Sequence, residues 1–150
     1  MKTSGARHSA REYALRALYG LDLLNQTGEE HPRLDRPNWW GNEDRLHVGR
    51  EGERFALRLI REALERRVWI DQQIRECAHH WRLERMSSVD RNILRLAIGE
   101  LLLCLETPIR VILDEALELA KGYGDEESAR FVNGILDPLA RQIRDANREP

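Results

Sequence analysis

Arg7 and Arg11 stand four residues apart near the start of the chain, with His8 between them and Arg16 following. On a helix this spacing brings the Arg7 and Arg11 guanidiniums to one edge, flanking an apolar stripe. Planar, permanently charged donors clustered in this way suit phosphate oxygens. Lys2 adds to the patch. The plainer reading is a solvated helix face paired to Glu12 and acids such as Glu51. A second group lies in the stretch EESARFVNGILDP, residues 126–138. At about 100° per residue, Val132, Ile135, Leu136, Leu139 and Ile143 share one arc, with Phe131 at its edge. Glu127, Arg130, Gly134 and Pro138 fall on the flank beside Phe131. Gly134 bares backbone next to an aromatic ring, and Pro138 removes the N–H that the Gly134 carbonyl would accept. Inside a helix the glycine costs about 1 kcal/mol and the proline more. Two purposes fit: a tight helix crossing with a harmless kink, or a flat site where an unpaired base stacks on Phe131.

Other chemistry-bearing residues do not assemble into a catalytic pattern. Cys77, His79 and His80 sit in CAHHW, but without paired CxxC or HxxxH spacing, and sequence neighbours do not share a helical face. The segment reads as a helix end with Trp81 packed nearby. Asp114, Glu115 and Glu118 form a charged helix face of the ordinary solvated kind. No glycine-rich phosphate loop, nucleophile elbow or catalytic histidine arrangement occurs. The expectation is a non-enzyme that uses neither a metal nor a cofactor.

The elements that must hold these residues all read as helices, and no stretch alternates as a half-buried strand does. A first helix is expected over about 9–25, with Ala10, Ala14, Ala17, Leu18, Leu21 and Leu24 inward. Residues 26–45, rich in Gly, Pro, Asn and Asp, read as a long loop in which Trp39 and Trp40 pin it to the body, an exposed binding use being the alternative. Further helices are expected over about 45–67 and 70–81. Ser87 or Ser88 can cap another running through 105, apolar around most of its circumference and hence the buried centre of a bundle. Thr107 as cap and Pro108 in the first turn start the next, which Gly122 and Gly124 end in a left-handed stop. Asp125 can cap the last helix, with Glu126 and Glu127 favourably placed in its first turn.

Bulk properties agree with this picture. A chain of 150 residues with 41% hydrophobic and 33% charged content has the length and composition of one soluble globular domain. Its formal charge of −2 supplies no global basic field, so nucleic-acid binding must come from a local patch. Cys77 and Cys104 lie in helical stretches with no secretory segment ahead of them, which suggests reduced thiols in the cytoplasm. The most apolar run, 93–105, contains Arg95 and Glu100 and is too short to span a bilayer.

Five segments resemble the bacterial transcription antitermination factor NusB family. They are ARE.AL.ALY (10–19), ID..I (70–74), VDR.ILRLAI.EL (89–101), P..V...EA.ELAK.YG (108–124) and FVNG.LD (131–137), in family order. The resemblance implies a compact all-α bundle of six or seven helices in two packed helical subdomains. It also implies one NusB-like RNA-binding domain over 1–150, with a loop insertion at about 26–45. Members bind single-stranded boxA RNA of nascent ribosomal transcripts together with the ribosomal protein NusE, within an RNA polymerase antitermination complex. The positions carried over for RNA are Arg7, His8, Arg11, Arg16, Tyr19, Glu127, Arg130 and Phe131; for NusE, Asp90. Some members form homodimers, which leaves the oligomeric state open. Where members carry a denser arginine run this chain has Arg7-His8-Ser9, which predicts fewer phosphate contacts and a shallower salt dependence. Asp114 replaces the usual Asn, and the tryptophan-bearing loop is uncommon. Two alternatives are a helical accessory domain like that of ribosomal-RNA cytosine methyltransferases and a protein-only scaffold or homodimer. The end at Pro150, with no cofactor-binding domain, argues against the first.

Overall fold

Apolar residues at helical spacing draw the chain into helices, and the computed structural model describes residues 2–27, 49–79 and 82–148. In chain order these contain α1 (Lys2–Thr27), α2 (Gly49–Glu65), α3 (Arg67–Cys77), α4 (Ser88–Leu103), α5 (Ile109–Tyr123) and α6 (Ser128–Arg148). A 3₁₀ turn at Leu83–Arg85 precedes α4, and no strand occurs among the described residues. Most of the expected loop at 26–45, with Trp39 and Trp40, lies outside the described residues, as do His80 and Trp81.

Helix α2 packs on α1 and α3, and α5 packs on α6, while α4 touches all five other helices. The sequence of α4 explains its place: every residue from Asp90 to Leu101 is buried. Ile93, Leu94, Ile98 and Leu101 meet Leu59, Ile60, Ile70, Ile74 and Leu136 in one continuous core. Each such side chain contributes roughly 1.5–3 kcal/mol when fully buried. The close helix crossing falls at Gly99, where a Cβ would sit 3.5 Å from the Ala63 backbone nitrogen. It does not fall at Gly134, where a Cβ would meet nothing within 4 Å among the described residues.

Polar residues inside α4 are matched by partners on its neighbours, as burial demands. Arg91 donates to Asp22 Oδ2 from Nη2 at 2.7 Å and from Nε at 3.0 Å. Asn92 donates to the same oxygen at 3.0 Å. Arg95 forms a two-pronged pair with Asp71, at 2.8 and 3.0 Å. Arg144 of α6 donates to the carbonyls of Leu101, Cys104, Leu105 and Thr107, closing the C-terminal end of α4.

Several boundaries differ from the sequence reading, each for a local reason. Helix α1 begins seven residues before position 9, because nothing from Lys2 to His8 breaks a helix outright and Gly5 is tolerated. The helices expected over 45–67 and 70–81 become α2 and α3, split at Arg66, whose backbone leaves helical geometry. Ser87 caps α4 by accepting the Asp90 N–H at 3.1 Å, but the helix stops at Leu103. Pro108, not Thr107, occupies the cap position of α5, and no side chain caps it. Gly124 is not left-handed: its φ is −95°. It must be glycine for room, since a Cβ there would overlap the Ser128 hydroxyl and the Ala120 carbonyl. Asp125 does hold the turn before α6, accepting the Glu127 N–H at 2.9 Å, while Glu126 and Glu127 precede the helix itself.

Candidate nucleic-acid interface

The rotation of α1 decides which of its basic residues face outward, and two buried ion pairs set it. Arg11 donates to Glu100 of α4 from Nε at 2.8 Å and from Nη2 at 2.6 Å, with side chains only 4% and 2% exposed. Burial opposes the Arg11 charge, but the Glu100 hydrogen bonds and the charges of Glu100 and Glu115 outweigh it, so its pKa rises further. Three turns along, Asp22 is held by Arg91. Arg11 therefore leaves the set of solvent-facing phosphate donors that its spacing from Arg7 suggests. It is a strut between α1 and α4, and its acids are Glu100 and, at 3.7 Å, Glu115, not Glu12 or Glu51.

The other basic residues of α1 remain closer to solvent. Arg7 is exposed and lies over the Phe55 ring, 4.6 Å from the centroid. His8 is half-buried between Glu115, 2.7 Å from Nδ1, and Glu12, 3.3 Å from Nε2. Glu115 is thus a partner of α1, while Asp114 and Glu118 are exposed on α5. Arg16 stacks over Tyr123 at 5.7 Å and approaches its hydroxyl at 3.4 Å. That hydroxyl donates to Glu12 at 2.6 Å. Burial and the Glu12 hydrogen bond push the Tyr123 pKa up, so the phenol stays protonated. Tyr19, one turn beyond Arg16, is 38% exposed.

Tyr123 ends α5 and links this edge of α1 to the start of α6. The turn that follows is closed by reciprocal bonds: Asp125 N–H to Ser128 Oγ at 3.0 Å, and Ser128 Oγ–H to Asp125 Oδ1 at 3.2 Å. From it α6 emerges with Glu127 and Arg130 exposed, Phe131 half-buried against the core, and Asn133 and Gly134 exposed. Val132, Leu136 and Leu139 are completely buried, so the apolar arc fastens α6 and leaves this flank outward. Among the described residues nothing crosses α6 at Gly134, so none of the described helices accounts for that glycine. Pro138 lies inside α6, which continues to Arg148.

Asp90 sits in the first turn of α4, 8% exposed, and its Oδ1 has no hydrogen-bond partner among the described residues. The two thiols are free, and burial raises both pKa values, as is usual for inert cysteines. Among the described residues no group of three His, Cys, Asp or Glu side chains is placed to hold a metal ion. None of the described helices is long and apolar enough to cross a membrane.

Sequence reasoning missed Glu100, Asp22 and Tyr123 as organisers of this surface. Glu100 had a readable signal, since an ionic residue within a helix apolar on all sides requires a partner, whereas Asp22 lies on the one-sided α1. Tyr123 had none, because its role depends on α1 and α5 running side by side.

The NusB family model matches residues 8–141. The transcription antitermination protein NusB of Myxococcus xanthus is 43% identical over 136 residues, covering 91% of this chain and 95% of that protein. The Sorangium cellulosum protein of the same name is 42% identical, covering 97% and 99%. Among solved structures, T. maritima NusB superposes with a TM-score of 0.78 at 37% identity, covering 91% of each chain. A chain from a complex of antitermination factors NusB and NusE with double-stranded RNA superposes at 0.66 with 25% identity, covering 91% of this chain and 97% of that one. The chain belongs to the NusB family.

Proposed function

We propose that this protein is a transcription antitermination factor that binds single-stranded boxA-type RNA of nascent ribosomal transcripts together with NusE. It does so without catalysis, in the cytoplasm, as part of an RNA polymerase antitermination complex. The observation that carries this is the stacking of Arg16 of α1 on Tyr123, which ends α5 just before α6 begins at Ser128. Arg16 and the exposed Tyr19 stand on α1, and the exposed Arg130 and half-buried Phe131 open α6 with the bare backbone of Gly134 next along it, which supplies two cations and two aromatic rings. Rings and guanidiniums in alternation suit a single strand, whose bases stack while its phosphates pair. Arg7 extends the cationic edge, Glu127 can accept from base amino groups, and His8 supports the edge by engaging Glu115 and Glu12 through its two ring nitrogens. Arg11 acts by fixing α1 on α4. Asp90 serves the NusE contact: its unpartnered oxygen is an acceptor that a basic partner residue can satisfy.

The test is affinity for a boxA-like RNA against a scrambled strand, each with and without NusE. The boxA strand is expected to bind more tightly, and NusE to widen the gap; equal affinity for both strands under both conditions rejects the reading. Phe131→Ala is expected to weaken boxA binding by about 1–3 kcal/mol, the range for one stacked base, with helicity nearly unchanged. A thermal destabilisation near the full cost of a core Phe→Ala, about 3–5 kcal/mol, instead marks Phe131 as chiefly core.

A further inference from the structure

We infer that the groove between α1, α2 and the start of α5 is a sequence-independent phosphate clamp, which holds the RNA strand beyond its recognition segment. The inference takes its ligand class from the RNA reading above. The groove has a volume of about 650 Å³ and is bordered by Arg7, Arg54, Arg58, Phe55, Thr107 and Val111. It lies toward the other end of α1 from Tyr19: Arg7 and Arg16 are nine residues apart, about 14 Å along the helix.

Three exposed guanidiniums, those of Arg7, Arg54 and Arg58, surround the groove, and no carboxylate among the described residues pairs with any of them. Two carboxylates also border it. Glu115 is engaged by His8 and Arg11, and Glu51 stands in the first turn of α2, where the helix dipole favours an acid. Among the described residues the local balance is therefore positive, in a chain whose formal charge is −2.

Arrangement of the arginines points to phosphate and not to bases. Arg50, Arg54 and Arg58 follow one another at i, i+4 along α2, and like charges at that spacing destabilise a helix. An anion lying across them relieves the repulsion. The Phe55 ring is 7% exposed, with the Arg7 and Arg11 guanidiniums 4.6 and 5.5 Å from its centroid, so it seats arginines and offers no free face to a base. The start of α5 adds the positive end of its dipole, with no side-chain cap to satisfy its first N–H groups. Contacts of this kind position a strand without reading its sequence.

The experiment compares wild type with the double variant Arg54→Gln, Arg58→Gln. Both proteins are titrated, with NusE present, with a boxA-length RNA, with the same RNA extended by uridines at both ends, and with oligouridine alone. Wild type is expected to bind the extended strand more tightly than the short one, and the double variant to lose that gain while binding the short RNA as wild type does. Two lost phosphate contacts at a slope of about −0.7 each predict that wild type loses roughly sevenfold more affinity than the variant for the extended strand between 50 and 200 mM salt. If the two proteins bind the extended strand alike, with equal salt slopes, the clamp is rejected while boxA recognition stands. If wild type fails to separate boxA from a scrambled strand, the functional reading falls by itself. Oligouridine then judges the groove alone: a steeper wild-type slope supports it, and equal slopes overturn it.

Discussion

Arg7 and Arg11 bracket one aromatic ring from positions a single helical turn apart, yet they do different work. Sequence spacing makes them equivalent; burial separates them. Arg11 reaches Glu100 in a nearly solvent-free pair, and removing one member of such a pair leaves an uncompensated charge costing about 3–5 kcal/mol. Arg11→Gln is therefore expected to lower stability by that amount in urea titrations, a large share of the roughly 5–15 kcal/mol that holds most domains together. Arg7→Gln is expected to leave the unfolding midpoint nearly unchanged. It should instead weaken RNA binding and reduce the salt slope by about 0.7, one phosphate contact. Equal midpoints for the two variants are incompatible with these roles. The identity of Glu100 as the partner was not legible, because it lies 89 residues away in sequence.

At the scale of elements, α6 shows a helix weakened where it faces outward. Nothing among the described residues lies within 4 Å of where a Gly134 Cβ would stand, so its missing side chain relieves no contact with them. Gly134→Ala is expected to stabilise the protein by about 1 kcal/mol, the helix-propensity difference, with no clash to offset it. If RNA approaches the backbone there, the same substitution weakens boxA binding while raising the unfolding midpoint. A variant that is both more stable and fully competent for boxA removes the glycine from the site. The helices themselves were readable from apolar spacing, including the buried centre of the bundle, since that signal is local. Their ends were less so. Lys2 to His8 joined α1 because no strong breaker forbids it, and Gly124 proved to be required by the Ser128 hydroxyl and not by a left-handed backbone. The flank of α6 bearing Arg130 and Phe131 was legible as a face, but the bridge from Arg16 and Glu12 of α1 to Tyr123 at the end of α5 was not, since it joins residues more than a hundred positions apart.

Across the whole molecule, one polar network ties three helices together: Asp22 of α1 and Asp71 of α3 converge on Arg91, Asn92 and Arg95 of α4. Hydrophobic burial alone tolerates rotation of α1 about its axis, whereas these directional pairs fix it and so fix the outward edge that carries Arg7, Arg16 and Tyr19. Burial works against the Asp22 charge, but the hydrogen bonds from Arg91 and Asn92 and the charges of Arg91 and Arg95 outweigh it, holding its pKa below the ordinary carboxylate value. A depressed native pKa means that the unfolded chain binds the proton first as pH falls. The contribution of Asp22 is thus fully present above about pH 4, the unfolded value, and is lost as pH drops through the lower native one. Asp22→Asn keeps the shape but leaves Arg91 without its counter-charge, and is expected to cost about 3–5 kcal/mol near neutrality. Because the variant has no proton to gain at that position, its stability should fall less steeply below pH 4, and the two curves should converge in acid. Urea unfolding from neutral pH down to pH 2.5 measures this. A gap that stays constant through the acid limb assigns the loss to packing and removes Asp22 as the charge that locks α1 onto α4.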